Sequence, residues 1–368
     1  MRHTLAFLAL VGVAGAGAAS CHGPPPVPPV PSAGCAPLWA DSNAAALVDA
    51  LATATANRDP VWGDYDLGDA WYVVDAGRSS AGGACLGAWT AGRTVAYAEL
   101  PVGPALGTPL YGFYVPDGTR GRVPSSEQPA AVRAWLEDMG VERATIVPTV
   151  IEGFPMELST LTRLQMALHE AFHVEVQFRR PPRRWIRRWP SWDRQPDRAG
   201  LQACYREPKA VASSLEEERD ALVRTVEALL DGSPTTACRA GEVFLARREA
   251  RYGMLEEVRV ARHDSTPGTC REAEAIMELE EGTADYASWT ALYRAGLVSR
   301  ERLMQRYRAI QDDVFYLTGA MQLHATALMR PDGMEAVARR IARSESPDEG
   351  SITAIFADAL ETYCSTGN

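Results

Sequence analysis

Two histidines four positions apart constrain this chain more tightly than any other feature. They belong to the stretch His169-Glu170-Ala171-Phe172-His173, inside a segment whose apolar residues Leu161, Leu164, Leu168 and Phe172 recur at helical spacing. Ser159 or Thr160 can cap its start, so the pattern predicts a helix running to about Phe178. Residues i and i+4 project from one face of a helix, which brings both imidazoles to a single point. That arrangement suits one shared Zn²⁺, and the glutamate after the first histidine can take a proton from water at that point. His169 and His173 are therefore the candidate metal ligands and Glu170 the candidate general base.

Two ligands do not make a catalytic site. No histidine follows at close spacing, since position 176 is Val and position 179 is Arg, which excludes the HExxHxxGxxH pattern. A carboxylate from a later helix is the remaining option. The run Glu281-Gly282-Thr283-Ala284-Asp285-Tyr286 supplies Glu281 and Asp285, again four apart and on one face. Glu281 is the expected third ligand. Asp285 is expected to accept the remaining N–H of a ligand histidine, His169 in the first place, and so fix its tautomer. Glu278, one turn earlier, is the main rival to Glu281, followed by Glu280 and Glu274. Acidic residues on a helix ordinarily form a solvated face, and the pairing with Asp285 is what singles out Glu281.

These two motifs, HExxH and a later Glu-x-x-x-Asp, resemble those of the gluzincins, the thermolysin-like zinc metallopeptidases. Within that resemblance EGTADY is most similar to the EG-x-A-[ED]-Y element of a group of bacterial HExxH proteins. Those proteins tend to carry a glutamine after the motif, here Gln177, and an Arg-rich helix before the third ligand, here with Arg247, Arg248 and Arg251. The resemblance implies a zincin-like core, a His-His-Glu zinc site with an aspartate behind it, and peptide-bond hydrolysis. It covers two short motifs, and the connection from His173 to Glu281 is much longer than in thermolysin-like enzymes. Such a hydrolase also needs a donor for the oxyanion of its tetrahedral intermediate. Tyr316 and His324 are the candidates, Tyr205 and Tyr252 lie in the long connection, and Tyr286 is turned away by its place after Asp285.

The surrounding texture predicts an α+β fold that is predominantly α. Residues 35–157 read as a small α+β lobe. Within it an Ala-rich helix spans about Leu38 to Ala56, and short β-prone runs follow at Trp71–Val74, Thr94–Tyr97, Tyr111–Val115 and Thr145–Ile151. Residues 158–368 read as a mostly helical catalytic region with an insertion at about 179–262. Helical runs are expected at Pro208–Leu230, Cys238–Arg262, Arg271–Ala295, Arg300–Met329, Gly333–Ala342 and Ile352–Tyr363. Between Arg179 and Trp192, paired arginines alternate with Trp185, Trp189 and Trp192, and Pro181, Pro182 and Pro190 break any regular helix. This loop reads as a solvated connection, with contact to an anionic membrane surface as the functional alternative.

The chain begins with Arg2, His3 and an apolar run, Leu5 to Ala19, ending in Ala18-Ala19-Ser20-Cys21. This resembles a lipobox, with Ala18 where Leu is usual, so residues 1–21 are expected to direct export and Cys21 to carry lipid; a plain secretory signal is the alternative. Residues 22–34 form a Pro-rich linker. Setting Cys21 aside leaves Cys35, Cys85, Cys204, Cys238, Cys270 and Cys364, an even set suited to three disulfides in an oxidising compartment, whose pairing the spacing leaves open. A formal net charge of −10 argues against a nucleic-acid partner. The sequence thus predicts an exported zinc metallopeptidase acting on a peptide or protein. The competing reading is a catalytically inactive zinc-binding or surface-interaction lipoprotein.

Overall fold

The computed structural model describes residues 29–40, 42–56, 59–90, 93–101, 113–114, 130–148, 159–177, 201, 204–205, 209–260, 267–309, 314–330, 333–344 and 350–366. The leader with Cys21, most of the Pro-rich linker and the Arg179–Trp192 loop lie outside these residues.

A short helix α1 (Ala36–Trp39) and α2 (Ser42–Ala56) precede β1 (Tyr72–Arg78), β2 (Ala84–Thr90), β3 (Arg93–Leu100) and β4 (Phe113–Tyr114). Then come α3 (Ala130–Asp138), β5 (Ala144–Pro148) and α4 (Thr160–Phe172). The five strands form one mixed sheet in the order β3-β2-β1-β5-β4. β1 and β5 are parallel, with Tyr72 opposite Thr145, and the other neighbours are antiparallel. Successive side chains alternate between faces. Val73, Leu86 and Ile146 pack on one side with Val132 and Leu136 of α3, whereas Tyr72, Val74, Trp89 and Val147 share the opposite core with Leu164, Leu168 and Phe172 of α4. The sheet is therefore sandwiched between α3 and the helix that carries the two histidines.

The rest of the described chain is mostly helical: α5 (Lys209–Leu230), α6 (Pro234–Met254), α7 (Cys270–Met277), α8 (Thr283–Arg294), α9 (Arg300–Arg308), α10 (Val314–Met329), α11 (Gly333–Arg343) and α12 (Ile352–Ser365). Between α6 and α7 a short antiparallel pair, β6 (Arg259–Val260) and β7 (Gly268–Thr269), forms a second sheet. The fold is thus predominantly α with a small mixed sheet. A boundary at residue 157 does not divide the core. One contiguous apolar cluster joins Leu47 and Leu51 of α2, the inner sheet face and α4 to Tyr286 and Leu292 of α8, Met321 and Leu323 of α10, and Phe356 of α12.

The sequence pattern missed β2 and α3. β2 reads Ala-Cys-Leu-Gly-Ala-Trp-Thr and is buried along nearly all its length, so it lacks the polar–apolar alternation that marks a half-exposed strand. The six body cysteines do pair, as Cys35–Cys85, Cys204–Cys270 and Cys238–Cys364. Among the described residues no helix is long and apolar enough to cross a membrane.

Two helical interruptions fall in the segments that carry the histidines and Glu281. After Phe172 the chain widens into a π-turn at His173–Gln177, and between α7 and α8 a second π-turn spans Glu278–Gly282. The second lies against α10 at backbone contact. A Cβ added to Gly282 would come 2.7 Å from the Gly319 Cα, and one added to Gly319 would come 2.8 Å from the Glu278 carbonyl. Gly319→Ala should therefore lower the unfolding free energy by about 1–3 kcal/mol through overpacking. Gly253→Ala on α6, where a Cβ meets nothing within 4 Å, should raise it by about 0.5–1 kcal/mol. Urea midpoints of the two variants check both signs.

Candidate metal centre

Ser159 starts α4 as expected, its hydroxyl accepting from the Thr162 N–H. The helix then presents His169 toward the second π-turn, and the first π-turn swings His173 to the same place. His169 Nε2 and His173 Nε2 are 3.1 Å apart. Glu281 Oε2 lies 3.2 Å from the first and 3.3 Å from the second. All three side chains are buried. A carboxylate oxygen of Glu170 and one ring nitrogen from each histidine also fall within 4.8 Å of one another. Glu170 itself is only partly buried.

The donor set and its spacing suit a metal. Tetrahedral Zn²⁺ with bonds of about 2.0–2.2 Å sets its ligand atoms about 3.3–3.5 Å apart, close to the sides of the His169, His173 and Glu281 triangle. Two imidazoles and one carboxylate leave a fourth position, the donor count of catalytic rather than structural sites.

Each histidine is oriented from behind. His169 Nδ1 is 3.3 Å from Asp285 Oδ1. Asp285 is itself held by Gln165 Nε2, donating at 3.0 Å, and by Arg306 Nη2 at 3.4 Å. For His173 the partner is Gln177: Nδ1 and Gln177 Oε1 are 2.5 Å apart. The Gln177 amide nitrogen donates to the Glu280 carbonyl and to Thr283 Oγ1, which turns its oxygen toward the ring. His173 must therefore donate from Nδ1, leaving Nε2 as a lone-pair donor for a metal. Burial disfavours a charged His169, but the Asp285 and Glu281 carboxylates outweigh it and lift its pKa to about 10. Burial likewise opposes ionisation of Glu281, yet the two histidines hold its carboxyl well below the usual range.

The rival carboxylates are occupied elsewhere. Glu274 takes both Nη atoms of Arg251, at 2.9 and 2.8 Å. Glu278 takes the fork of Arg248 at 3.0 and 2.7 Å, together with the Thr318 hydroxyl and the Gln322 amide. Glu218 bridges the two arginines, accepting from both Nε atoms. All five charged groups are fully buried. Glu280 is buried too, and its backbone carbonyl serves Gln177.

Tyr316 lies beside the cluster, its ring stacked on His169 at 5.8 Å between centroids. His324 does not join it. Its described contacts are Tyr307, whose hydroxyl lies 3.1 Å from Nδ1, and the Tyr286 ring. Eight residues separate Tyr316 and His324 on α10, about 12 Å of helix, and burial holds the His324 pKa down at about 4. Tyr205 packs on Phe315, and Tyr252 lies between Arg251 and Arg271. Sequence reasoning noticed Gln177 only through a resemblance and gave it no role. It passed over Gln165, Arg306 and Glu218, because partners this far apart in the chain leave no spacing signature.

No protein-family model, curated protein or solved structure matches this chain. Replacing Gln177 by Leu or Asp285 by Asn should weaken Zn²⁺ binding about 10- to 100-fold, measured by competition with a chromogenic chelator. Arg248→Met leaves Glu218 and Glu278 short of a cation and should cost about 3–5 kcal/mol of stability, read from the urea midpoint.

Proposed function

We propose that this chain is an exported zinc-dependent peptidase with a zincin-like core. In this reading His169, His173 and Glu281 hold the metal and Glu170 is the general base. The observation that carries the reading is the triangle of His169 Nε2, His173 Nε2 and Glu281 Oε2, with sides of 3.1–3.3 Å and a Glu170 carboxylate oxygen within 4.8 Å of both histidines. A buried His-His-Glu triangle of this size has no structural need of a further carboxylate beside it, whereas hydrolysis does.

The chemistry that bound Zn²⁺ supplies is Lewis acidity, which acidifies water and polarises a carbonyl. The protein's own groups do the rest. Glu170 takes a proton from the attacking water and passes it to the leaving amine, so one carboxylate serves as base and then as acid. Asp285 and Gln177 keep both imidazoles in the ligating tautomer through the cycle. Tyr316 stacks on His169 with its ring at the edge of the cluster, where its hydroxyl is the candidate donor to the oxyanion. His324 takes no part in this scheme, because Tyr307 and the core enclose it.

Three disulfides support export to an oxidising compartment. With the lipobox-like Ser20-Cys21, the reading adds a lipid anchor at Cys21 and the Pro-rich linker as its spacer. The substrate is a peptide or protein.

The decisive experiment combines metal content with turnover of a mixed quenched-peptide library. The parent should carry about one Zn²⁺ per chain. Glu170→Gln should keep the metal and lose turnover by at least about a thousandfold, while Glu281→Gln should lose both. Turnover that survives Glu170→Gln sinks the mechanism. A parent that binds zinc but cleaves nothing points to a zinc-binding lipoprotein without catalysis.

A further inference from the structure

Four arginines are buried among the described residues: Arg143, Arg163, Arg248 and Arg251. Arg248 and Arg251 are forked onto glutamates, and Arg143 lies near Glu142 and Glu175. Arg163 is different. It is 4% exposed, and among the described residues its side chain has no hydrogen bond, ion pair or ring contact; its Nη1 is completely enclosed without an acceptor. Its position on the backbone compounds the imbalance. Arg163 is the fourth residue of α4, at the end where the helix dipole is positive and a cation is disfavoured, and the first turn contains no acidic residue to offset it. An isolated buried guanidinium is strongly unfavourable, and native structures normally pair such a group.

The place where an anion would complete this group is set by helix geometry. Arg163 precedes Glu170 by seven residues, so both leave α4 on the same face, within about 20° of each other and about 10 Å apart along the axis. The histidines leave the helix on the adjoining face, toward α8 and the second π-turn. Arg163 thus leaves α4 on the same side as Glu170, the residue read above as the general base. An extended peptide advances about 3.3 Å per residue, so about three residues cover that interval.

We propose that Arg163 is a carboxylate-binding subsite beside Glu170. It would receive an anionic group of the peptide about three residues from the scissile bond. This inference rests on the peptidase reading and deepens it by naming a substrate class. The ligand chemistry is a carboxylate in fork geometry on a guanidinium. A free C-terminus and an Asp or Glu side chain both supply it.

The test uses the full chain with Glu170→Gln, so that binding is read without cleavage. Three fluorescent alanine-based peptides are titrated by anisotropy: one with a free C-terminal carboxylate, its amide, and an amide carrying a glutamate side chain. At least one carboxylate peptide should bind about tenfold or more tighter than the neutral amide, and which one identifies the source. Adding Arg163→Met should remove that preference, leave the neutral peptide unchanged and hold or raise the melting temperature. Arg163→Lys, which keeps the charge, should retain part of the preference. Equal binding of all three peptides overturns the subsite, and so does a preference that survives Arg163→Met. A lowered melting temperature with equal loss of all three peptides also overturns it, because Arg163 would then be structural. If the Glu170→Gln protein binds none of the peptides and the parent cleaves none, the peptidase reading itself fails. Cleavage by the parent with equal KM for neutral and anionic peptides overturns only the subsite.

Discussion

Everything at the centre of this molecule depends on one requirement: a carboxylate taken out of water must meet a cation. Glu274, Glu278, Glu281 and Asp285 fall at intervals of four, three and four along α7, the second π-turn and α8, so they form one stripe facing inward. Each is buried and each has its partner. Arg251 meets Glu274, Arg248 meets Glu278, the two histidines meet Glu281, and His169 with Arg306 meets Asp285. The stripe is one continuous row of charge, paired with arginines at its α7 end and with the candidate site's histidines at its α8 end. Its structural end fixes how α7 packs against α5 and α6, and thereby where Glu281 stands.

The π-turns add the remaining precision. An α-helix continued past Phe172 would carry His173 and Gln177 on without the extra width of a π-turn, which shifts side chains around the axis. Here the wider turn lets His173 reach Glu281 while Gln177 reaches back to its ring. The second π-turn does the same for Glu281, and Gly282 against Gly319 lets α10 approach closely enough to bring Thr318 and Gln322 onto Glu278. Widened turns at both segments that carry the candidate ligands tie local backbone form to the candidate site rather than to packing alone.

The sheet supports this assembly from one side. Trp62 and Tyr65 stack edge-on against Phe172, and Tyr72 packs on Trp89, so the face of α4 that adjoins the histidines is held by large aromatic side chains. Disulfides tie the periphery to the same body: Cys35–Cys85 joins the start of α1 to β2, and Cys238–Cys364 joins α6 to α12. The histidine helix is thereby clamped between an aromatic core and a buried ionic one.

Much of the candidate site was legible in sequence because it rests on short-range periodicity. The interval of four between His169 and His173, and again between Glu281 and Asp285, is a local fact, and helix geometry turns it into a shared face. Ser159 as a cap, most helices, and the even count of body cysteines are of the same kind. What stayed hidden depends on partners remote in the chain. The choice among Glu274, Glu278 and Glu281 follows from where Arg248 and Arg251 come to lie, and no spacing records that. The pairing of the cysteines, the burial of His324 beside Tyr307, β2 buried on both faces, and the unmatched Arg163 are likewise products of three-dimensional packing. The sequence by itself determined which side chains share a helical face, since that follows from a fixed rise and turn per residue. Only the tertiary structure decided which charges meet, because that depends on contacts between segments a hundred residues apart.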